Sequence, residues 1–249
     1  MEGMTPDPLP RLAHAEAAAH RRFGVSGEIA SLGPLVAAHA GPGLPVNAAW
    51  HDGTRPPTAA ELEAFEAFSA AHGQAATLHL LSHAAPELLP GLKARGYALE
   101  YVLHAYAHDL TPLPSPPALD IHEEADPGAW AVLSARGFGP GTETMMRLVA
   151  HAPGTVRLVA EVDGQPAGTA ALSVTEGVAA LYGTSTLPEF RGQGVQTALL
   201  AARLHLAATL GADLASVFVT PDSGSERNVR RVGFGLAGAR LTFTRTAGP

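Results

Sequence analysis

The stretch that decides the fold runs Leu187-Pro-Glu-Phe-Arg191-Gly-Gln-Gly194-Val-Gln-Thr-Ala-Leu-Leu200. A β-branched, apolar segment precedes it, and a long apolar run follows its two glycines. This order predicts a strand, a glycine turn and a helix that begins at once. The first turn of a helix has N–H groups without internal partners and carries the positive end of the dipole. Glycines let such a backbone approach an anion closely, so the stretch predicts a phosphate cradle, with Arg191 as a charged fork beside it.

The residues around this loop predict a mixed α/β unit. Asp163-Gly164 and Glu176-Gly177 are hairpin signals, so three consecutive strands form a meander before the loop. Asp126 and Thr142 stand where two helices need an N-cap. The predicted elements are strand 119–122, helices 127–135 and 142–151, strands 156–162, 167–174 and 178–186, helix 195–210, strand 214–220, helix 223–232 and strand 236–244.

A proline-rich segment divides the chain. Thr111-Pro-Leu-Pro-Ser-Pro-Pro117 has four prolines in seven residues, which cannot join a helix or a central strand. We therefore predict a domain at residues 1–110, a semi-rigid linker at 111–117 and a second domain at 118–249. The length of 249 residues suits two modest domains.

The first domain contains a fainter version of the ending of the second. Helices 59–72 and 86–94 alternate with strands 77–81 and 99–107, and Trp50-His51-Asp52-Gly53 is interpreted as a turn. Gly96-Tyr97 follows a helix as Gly233-Phe234 does. This similarity indicates an internal repeat, but any helix–strand unit can end its helix on glycine, and the residues alone leave both interpretations open.

Composition excludes several classes of protein. The net charge of −7 argues against sequence-independent nucleic-acid binding, which needs a basic surface. The chain has no cysteine, so disulfides, thiolate metal sites and an acyl-cysteine are excluded. His79 and His83, like His104 and His108, are four apart on predicted strands, about 13 Å from each other, so we predict no metal site.

No segment predicts insertion into a membrane. Prolines interrupt the start of the chain, so it does not resemble a signal peptide. The longest apolar stretch, 195–210, carries Arg203 and His205 and is too polar to span a bilayer. We therefore expect a cytoplasmic protein without a membrane partner.

The cradle resembles motif A of the GCN5-related N-acetyltransferases (GNAT), whose pattern is Arg/Gln-x-x-Gly-x-Gly/Ala. Arg191 and Gly194 match, whereas Gln196 stands where Gly or Ala is usual. Gly233-Phe234 is similar to the pair that closes motif B. A P-loop would need Gly-Lys-Ser/Thr, and a dinucleotide fingerprint would need glycine where Thr197 stands. The resemblance implies two acyl-CoA N-acyltransferase-like α/β units in tandem, of which the first is degenerate.

This resemblance also implies a ligand, acetyl-CoA as co-substrate, and the residues that hold it. Strand 178–186 would splay from its neighbour and admit pantetheine, with contacts from backbone groups of Ser185, Thr186 and Leu187. A backbone N–H near Ser185 would polarise the thioester. The pyrophosphate would lie near Arg191 on the amides of Gly192, Gln193, Gly194, Val195 and Gln196. Ser223, Ser225 and Asn228 would bond the arm of the cofactor or simply cap their helix.

The implied reaction is transfer of an acetyl group to a primary amine of a small-molecule or peptide acceptor. Many family members place an acidic tyrosine five residues before the closing Phe, where this chain has Val229. The general acid and base therefore stay unassigned, with Tyr182, Thr184 and Ser225 as candidates. The alternative is a non-catalytic acetyl-CoA-binding sensor or scaffold.

Overall fold

The structure, a computed structural model, describes residues 7–245. These residues form two units. Of the described residues, the first unit contains 7–105 together with 236–245, and the second is Tyr106–Gly235. Each is a mixed α/β arrangement, as the sequence predicts.

The bounds of the elements agree closely with the prediction for the second half of the chain. The helices are α1 Leu9–His20, α2 Ala59–Ala71, α3 Ala85–Ala94, α4 Pro127–Phe138, α5 Glu143–His151, α6 Val195–Thr209 and α7 Gly224–Arg231. The strands are β1 Glu28–Leu32, β2 Leu35–His39, β3 Ala49–His51, β4 Ala76–Leu81, β5 Ala98–His108, β6 Asp120–Glu123, β7 Val156–Val162, β8 Gln165–Thr175, β9 Val178–Thr186, β10 Leu214–Val219 and β11 Gly235–Arg245.

Alternation along the strands of the second unit supplies two apolar faces. Its described strands are ordered β10-β9-β8-β7-β6, with β9 and β10 parallel and the other pairs antiparallel. Val159 and Ala171 face α4 and α5, whereas their neighbours Leu158 and Ala170 face α6. Successive side chains of a strand point to opposite faces, so the two helical layers cover opposite sides of this sheet.

The meander turns are formed as predicted. Asp163 and Gly164 both have positive φ, as do Glu176 and Gly177, which is the backbone of a type I′ hairpin turn. The predicted cap of α4 is also confirmed, because the Asp126 side chain accepts a hydrogen bond from Gly128 N at 2.7 Å.

The predicted role of Thr142 is wrong. This residue precedes α5, but its hydroxyl donates to Gly139 O at 2.7 Å and accepts nothing from the helix. Its backbone is already in the helical region, with φ −97° and ψ −3°, so the side chain does not reach forward to the first turn.

The last strand belongs to the first unit, which differs from a second domain that extends to residue 249. β11 pairs with β4 in an antiparallel register from Arg240–Leu81 to Arg245–Ala76. Phe243 packs in the apolar core of the first unit with Leu78 and Leu80. Within the described residues, the strand order of this unit is β1-β2-β3-β4-β11-β5.

Two other features of the first half differ from the prediction. Trp50 and His51 lie in β3 and not in a turn, since they pair with Val36 and Leu35 of β2. The segment 111–117 is irregular, as predicted, but it is anchored: His205 Nε2 lies 2.9 Å from Pro114 O, and Leu113 packs against the core of the second unit.

Candidate functional site

The sheet of the second unit opens at the end of β9. β9 pairs with β10 only from Val178–Leu214 to Ala180–Ser216, and β9 then continues to Thr186 beyond this pairing. A cavity of about 550 Å³ lies at this open end, where β9 meets the start of α6. The divergence of strands expected before the cradle is therefore present.

β9 carries a bulge in its open part. Tyr182 is opposite Ala171 and Ser185 is opposite Thr169, so Gly183 and Thr184 together face the single residue between them on β8. Gly183 has φ +61°, and a Cβ there would lie 3.1 Å from the Trp130 ring. Both the backbone and the buried Trp130 therefore favour glycine at this position.

The pairing with β8 decides which backbone groups of β9 face the open edge. Leu187 N donates to Ala167 O at 2.9 Å. Leu187 follows Thr186 and Ala167 precedes Gly168, so this hydrogen bond lies next to the Thr186–Gly168 pair. Thr186 and Gly168 are thus a pair without direct hydrogen bonds, and the N–H and C=O of Thr186 point away from β8. The Leu187 N–H is engaged with Ala167 O, and the Leu187 C=O accepts from Phe190 N at 3.0 Å, so neither group is free for the backbone contact with pantetheine that the resemblance implies. Thr186 has the free backbone.

The cradle itself is built by two glycines in the left-handed region. Gly192 has φ +80° and Gly194 has φ +79°, and a Cβ on either would project into open space. Gly194 is the N-cap residue of α6, and no side chain caps the helix. The N–H groups of the first turn are therefore directed at the cavity without a side-chain partner, which is the arrangement that binds phosphate.

Close contacts between elements bring the cradle to the end of β9. A Cβ on Gly137, in the last turn of α4, would lie 2.4 Å from Ser185 Oγ. A Cβ on Gly168 would lie 2.6 Å from Ser185 O and 2.7 Å from Val195 Cγ1. Only glycine at these two positions allows α4 and the start of α6 to approach β8 and β9 this closely.

The cavity brings together most of the predicted site residues. Its lining comprises Gly137, Phe138, Thr184, Ser185, Thr186, Phe190, Arg191, Gly192, Gly194, Val195, Gln196, Thr197, Asn228 and Arg231. Arg191 and Arg231 make this lining cationic, and no carboxylate belongs to it. A net acidic chain thus concentrates positive charge where an anion would bind.

Several predicted residues lie outside the lining: Tyr182, Leu187, Gln193, Ser223 and Ser225. The sequence interpretation in turn missed five lining residues: Gly137, Phe138, Phe190, Thr197 and Arg231. Arg231 has a signal in the sequence, because it follows Asn228 by three residues on α7 and so shares its face. Gly137 and Phe138 have none, since only the packing of α4 against β9 brings them here.

Gln196 joins α6 to α7. Its Nε2 donates to Ser225 Oγ at 3.0 Å, and its Oε1 accepts from Asn228 Nδ2 at 2.6 Å. Ser223 caps α7, because its Oγ accepts from Glu226 N at 3.1 Å. The residue that departs from the motif A pattern therefore fixes the neighbouring helix that contributes Asn228 and Arg231 to the cavity.

A buried carboxylate also anchors α7. Glu226 accepts from Tyr106 Oη at 2.8 Å and from Asp222 N at 2.8 Å, and Arg230 Nε donates to the same Tyr106 oxygen at 2.5 Å. Burial, followed by the hydrogen bond to Glu226, raises the pKa of Tyr106 above its usual value. Tyr106 therefore stays neutral and donates to Glu226. Both groups have a structural role, and neither lines the cavity.

Of the candidate catalytic side chains, Thr184 alone lines the cavity. Tyr182 Oη lies 3.0 Å from Thr155 Oγ1 on the side of α4 and α5. Val229 is 1% exposed and packs with Leu200 and Phe234, so this position belongs to the core.

Residues 7–245 contain neither a cluster of metal ligands nor a membrane-spanning helix. Among them, no group of three or more His, Cys, Asp or Glu side chains is placed to hold a metal ion. None of the described helices is long and apolar enough to cross a membrane.

Comparison with known proteins agrees with this geometry. Residues 120–234 match the model of the acetyltransferase (GNAT) family. No curated protein matches the sequence.

Solved structures extend the similarity of fold to the whole chain. A GCN5-related N-acetyltransferase from Kribbella flavida is 23% identical, covers 98% of both chains and has a TM-score of 0.77. One from Sphaerobacter thermophilus is 18% identical over 97% of this chain and 93% of its own, with a TM-score of 0.54. A tandem GNAT protein from the clavulanic acid biosynthesis pathway is 20% identical over 86% of this chain and 78% of its own, with a TM-score of 0.59. The predicted fold class is confirmed.

The cradle gives a direct prediction for binding. Gly194→Val should remove the thermal stabilisation by CoA, which for the wild type is about 2.7 kcal/mol at a hundredfold excess over Kd. The added side chain would fill the open space beside the first turn of α6, where we expect the pyrophosphate. Differential scanning fluorimetry with and without CoA measures the effect.

A matched control separates lost binding from backbone strain. Gly211, at the other end of α6, also has a left-handed φ of +82° and open space around a Cβ. Gly211→Val therefore has comparable strain but should keep the full CoA shift. If Gly194→Val keeps a CoA-induced stabilisation as large as that of Gly211→Val, the anion does not bind at Gly194.

Proposed function

We propose that the second unit binds acetyl-CoA in the cytoplasm and transfers the acetyl group to a primary amine of a small-molecule or peptide acceptor. The observation that carries this proposal is the continuity of an open strand edge at Thr186 with the uncapped helix start at Gly194. A strand edge suits an extended amide-containing chain, and a free helix start suits a pyrophosphate.

The residues of the cleft fit the chemical parts of acetyl-CoA. The N–H groups of the first turn of α6 hold the pyrophosphate, with Arg191 and Arg231 as neutralising charges. The N–H and C=O of Thr186 pair with pantetheine amides. When bound, acetyl-CoA supplies a thioester, whose carbonyl carbon is open to attack by an amine.

The bulge of β9 is placed to assist the transfer. A bulge redirects backbone groups out of the regular ladder, and Thr184 lies both in the bulge and in the cavity wall. We assign its N–H the task of polarising the acyl carbonyl, as an oxyanion donor does. A thiol has a pKa of about 8.5, so solvent in this open cavity suffices to protonate the departing sulfur.

A second candidate function is a non-catalytic acetyl-CoA sensor. One observation favours it: the position of the expected acid, Val229, is buried in the core, and Tyr182 and Ser225 lie outside the cavity. The same cradle serves both functions, so binding does not distinguish them and turnover does.

The proposal includes one acetyl-CoA per chain, because the first unit occupies its own helix start. Thr58 caps α2, and a capping box engages two of the backbone N–H groups at this helix start: Glu61 N donates to Thr58 Oγ1, and Thr58 N donates to Glu61 Oε2. The hydrogen bond from Arg55 lowers the pKa of Glu61 to about 2, so the carboxylate stays charged at neutral pH. Pro56 and Pro57 have no N–H to offer. A pyrophosphate at the start of α2 would therefore lie next to the negatively charged Glu61 carboxylate.

Turnover tests the enzymatic function. The protein incubated with acetyl-CoA and a panel of primary amines should release free CoA thiol faster than either reactant alone, and Gly194→Val should abolish this release. A thiol-reactive dye and mass spectrometry of the amines provide the readout. Tight acetyl-CoA binding without acetylation of any amine would favour the sensor.

Stoichiometry tests the single site. Isothermal titration of the full chain with CoA should give a value near one per chain, and Gly194→Val should leave no residual binding of comparable affinity. A second site that survives this substitution would contradict the assignment of the first unit as unable to bind.

A further inference from the structure

Arg203 on α6 is a buried cation without a carboxylate partner among the described residues. Its side chain has no exposed surface. Nε donates to Leu199 O at 3.1 Å, and Nη1 donates to Ala171 O and Tyr182 O at 3.3 Å each. Nη2 is buried and has no partner in the part of the chain that the structure describes. Burial lowers its pKa to about 9, so the guanidinium remains protonated at neutral pH.

A packing role does not account for this residue. Burying an ion costs several kcal/mol, and an apolar side chain of similar volume fills a core at least as well. The neighbouring positions of α6 are filled by such residues, since Leu199, Leu200 and Leu204 are all buried. The reason for a charged side chain at this position therefore lies in the groups that its N–H donors contact.

The contacts of Arg203 converge on the bulge of β9. Ala171 and Tyr182 are the last regular pair of β8 and β9 before the register shifts at the bulge. The Tyr182 carbonyl belongs to the peptide that enters the bulge, and a peptide is planar, so a hydrogen bond to this oxygen fixes the orientation of the whole unit.

The other face of the same bulge meets Trp130. The direction of a Cβ on Gly183 points to the Trp130 ring, and Trp130 is itself held by a hydrogen bond from Nε1 to Leu158 O at 3.1 Å. Trp130 and Arg203 head the fully buried side chains by volume. The bulge thus lies between two rigidly held groups on opposite faces of the sheet.

We propose that Arg203 is a positioning residue: it fixes the peptide between Tyr182 and Gly183 so that the bulge presents the Thr184 N–H to the acyl carbonyl. This inference rests on the proposed function. Arg203 acts on Thr184 through orientation: the Tyr182 C=O and the Gly183 N–H share one planar peptide, and fixing that peptide sets the direction of the next one, which carries the Thr184 N–H. One helix then serves both ends of the ligand, with its first turn at the pyrophosphate and Arg203 at the acyl group.

The test compares Arg203→Met with Leu204→Ala, a destabilising change at the next buried residue of α6. The probe is acetyl-CoA with a ¹³C-labelled acetyl carbonyl, and infrared difference spectra report the stretching frequency of the bound carbonyl. Polarisation by the bulge lowers this frequency in the wild type. Arg203→Met should lose most of the lowering while its Kd for CoA, which lacks the acetyl group, stays within about threefold. Leu204→Ala should keep the lowering.

The outcomes separate this inference from the proposed function. Failure of the wild type to bind acetyl-CoA would overturn both. A lowering that Arg203→Met retains, or that Leu204→Ala loses equally, would overturn the role of Arg203 alone. If the methionine variant does not fold, Arg203→Lys decides: it keeps the cation but lacks the planar guanidinium, whose Nε is held on Leu199 O while Nη1 meets the two carbonyls. A carbonyl frequency between that of acetyl-CoA bound to the wild type and that of free acetyl-CoA would support the inference. A frequency equal to that of the wild type would overturn it.

Discussion

Everything at this site depends on a helix that begins without a cap. α6 begins at Gly194, whose left-handed backbone offers no side chain to the first N–H groups. Such groups need a partner, and the chain leaves them facing a cavity of cationic lining. The surrounding structure keeps this helix start where β9 ends: Gly137 and Gly168 admit the close approach, and Gln196 fixes α7 beside it.

The contrast between α2 and α6 explains why a chain with two α/β units would carry one ligand site. The start of α2 is satisfied internally by Thr58 and Glu61 and is held by Arg55. Satisfaction of this kind stabilises the helix, and it places the Glu61 carboxylate where a bound anion would have to lie. The start of α6 gives up that stabilisation, which is the usual compromise at a binding site.

Much of the second unit could be predicted from the sequence because its signals are local. The hairpins at Asp163-Gly164 and Glu176-Gly177, the cap at Asp126 and the glycine turn before α6 each depend on neighbours in the chain. The partner of β11 could not be predicted, because Phe243 packs against β4, far away in sequence, and nothing in residues 236–244 specifies which sheet they join.

Long-range packing also limited the prediction of the site. The sequence indicates only that Arg203 makes α6 too polar for a membrane span. The role proposed for Arg203 depends on its hydrogen bonds to two carbonyls of β8 and β9, which are far from it in sequence. The engaged Leu187 N–H likewise follows from the register with β8, which the sequence does not specify. The motif therefore indicated the place of the proposed ligand site, and the strand geometry indicated which backbone groups there are free.

The most direct test of this account is amide hydrogen exchange of the full chain with and without CoA. The account predicts slower exchange on binding in peptides that cover Thr184–Thr186 and Gly192–Thr197, and no change at Thr58–Leu62. Protection at the start of α2, or none at the start of α6, would contradict the claim that the uncapped helix after Gly194 is where this protein binds its anion.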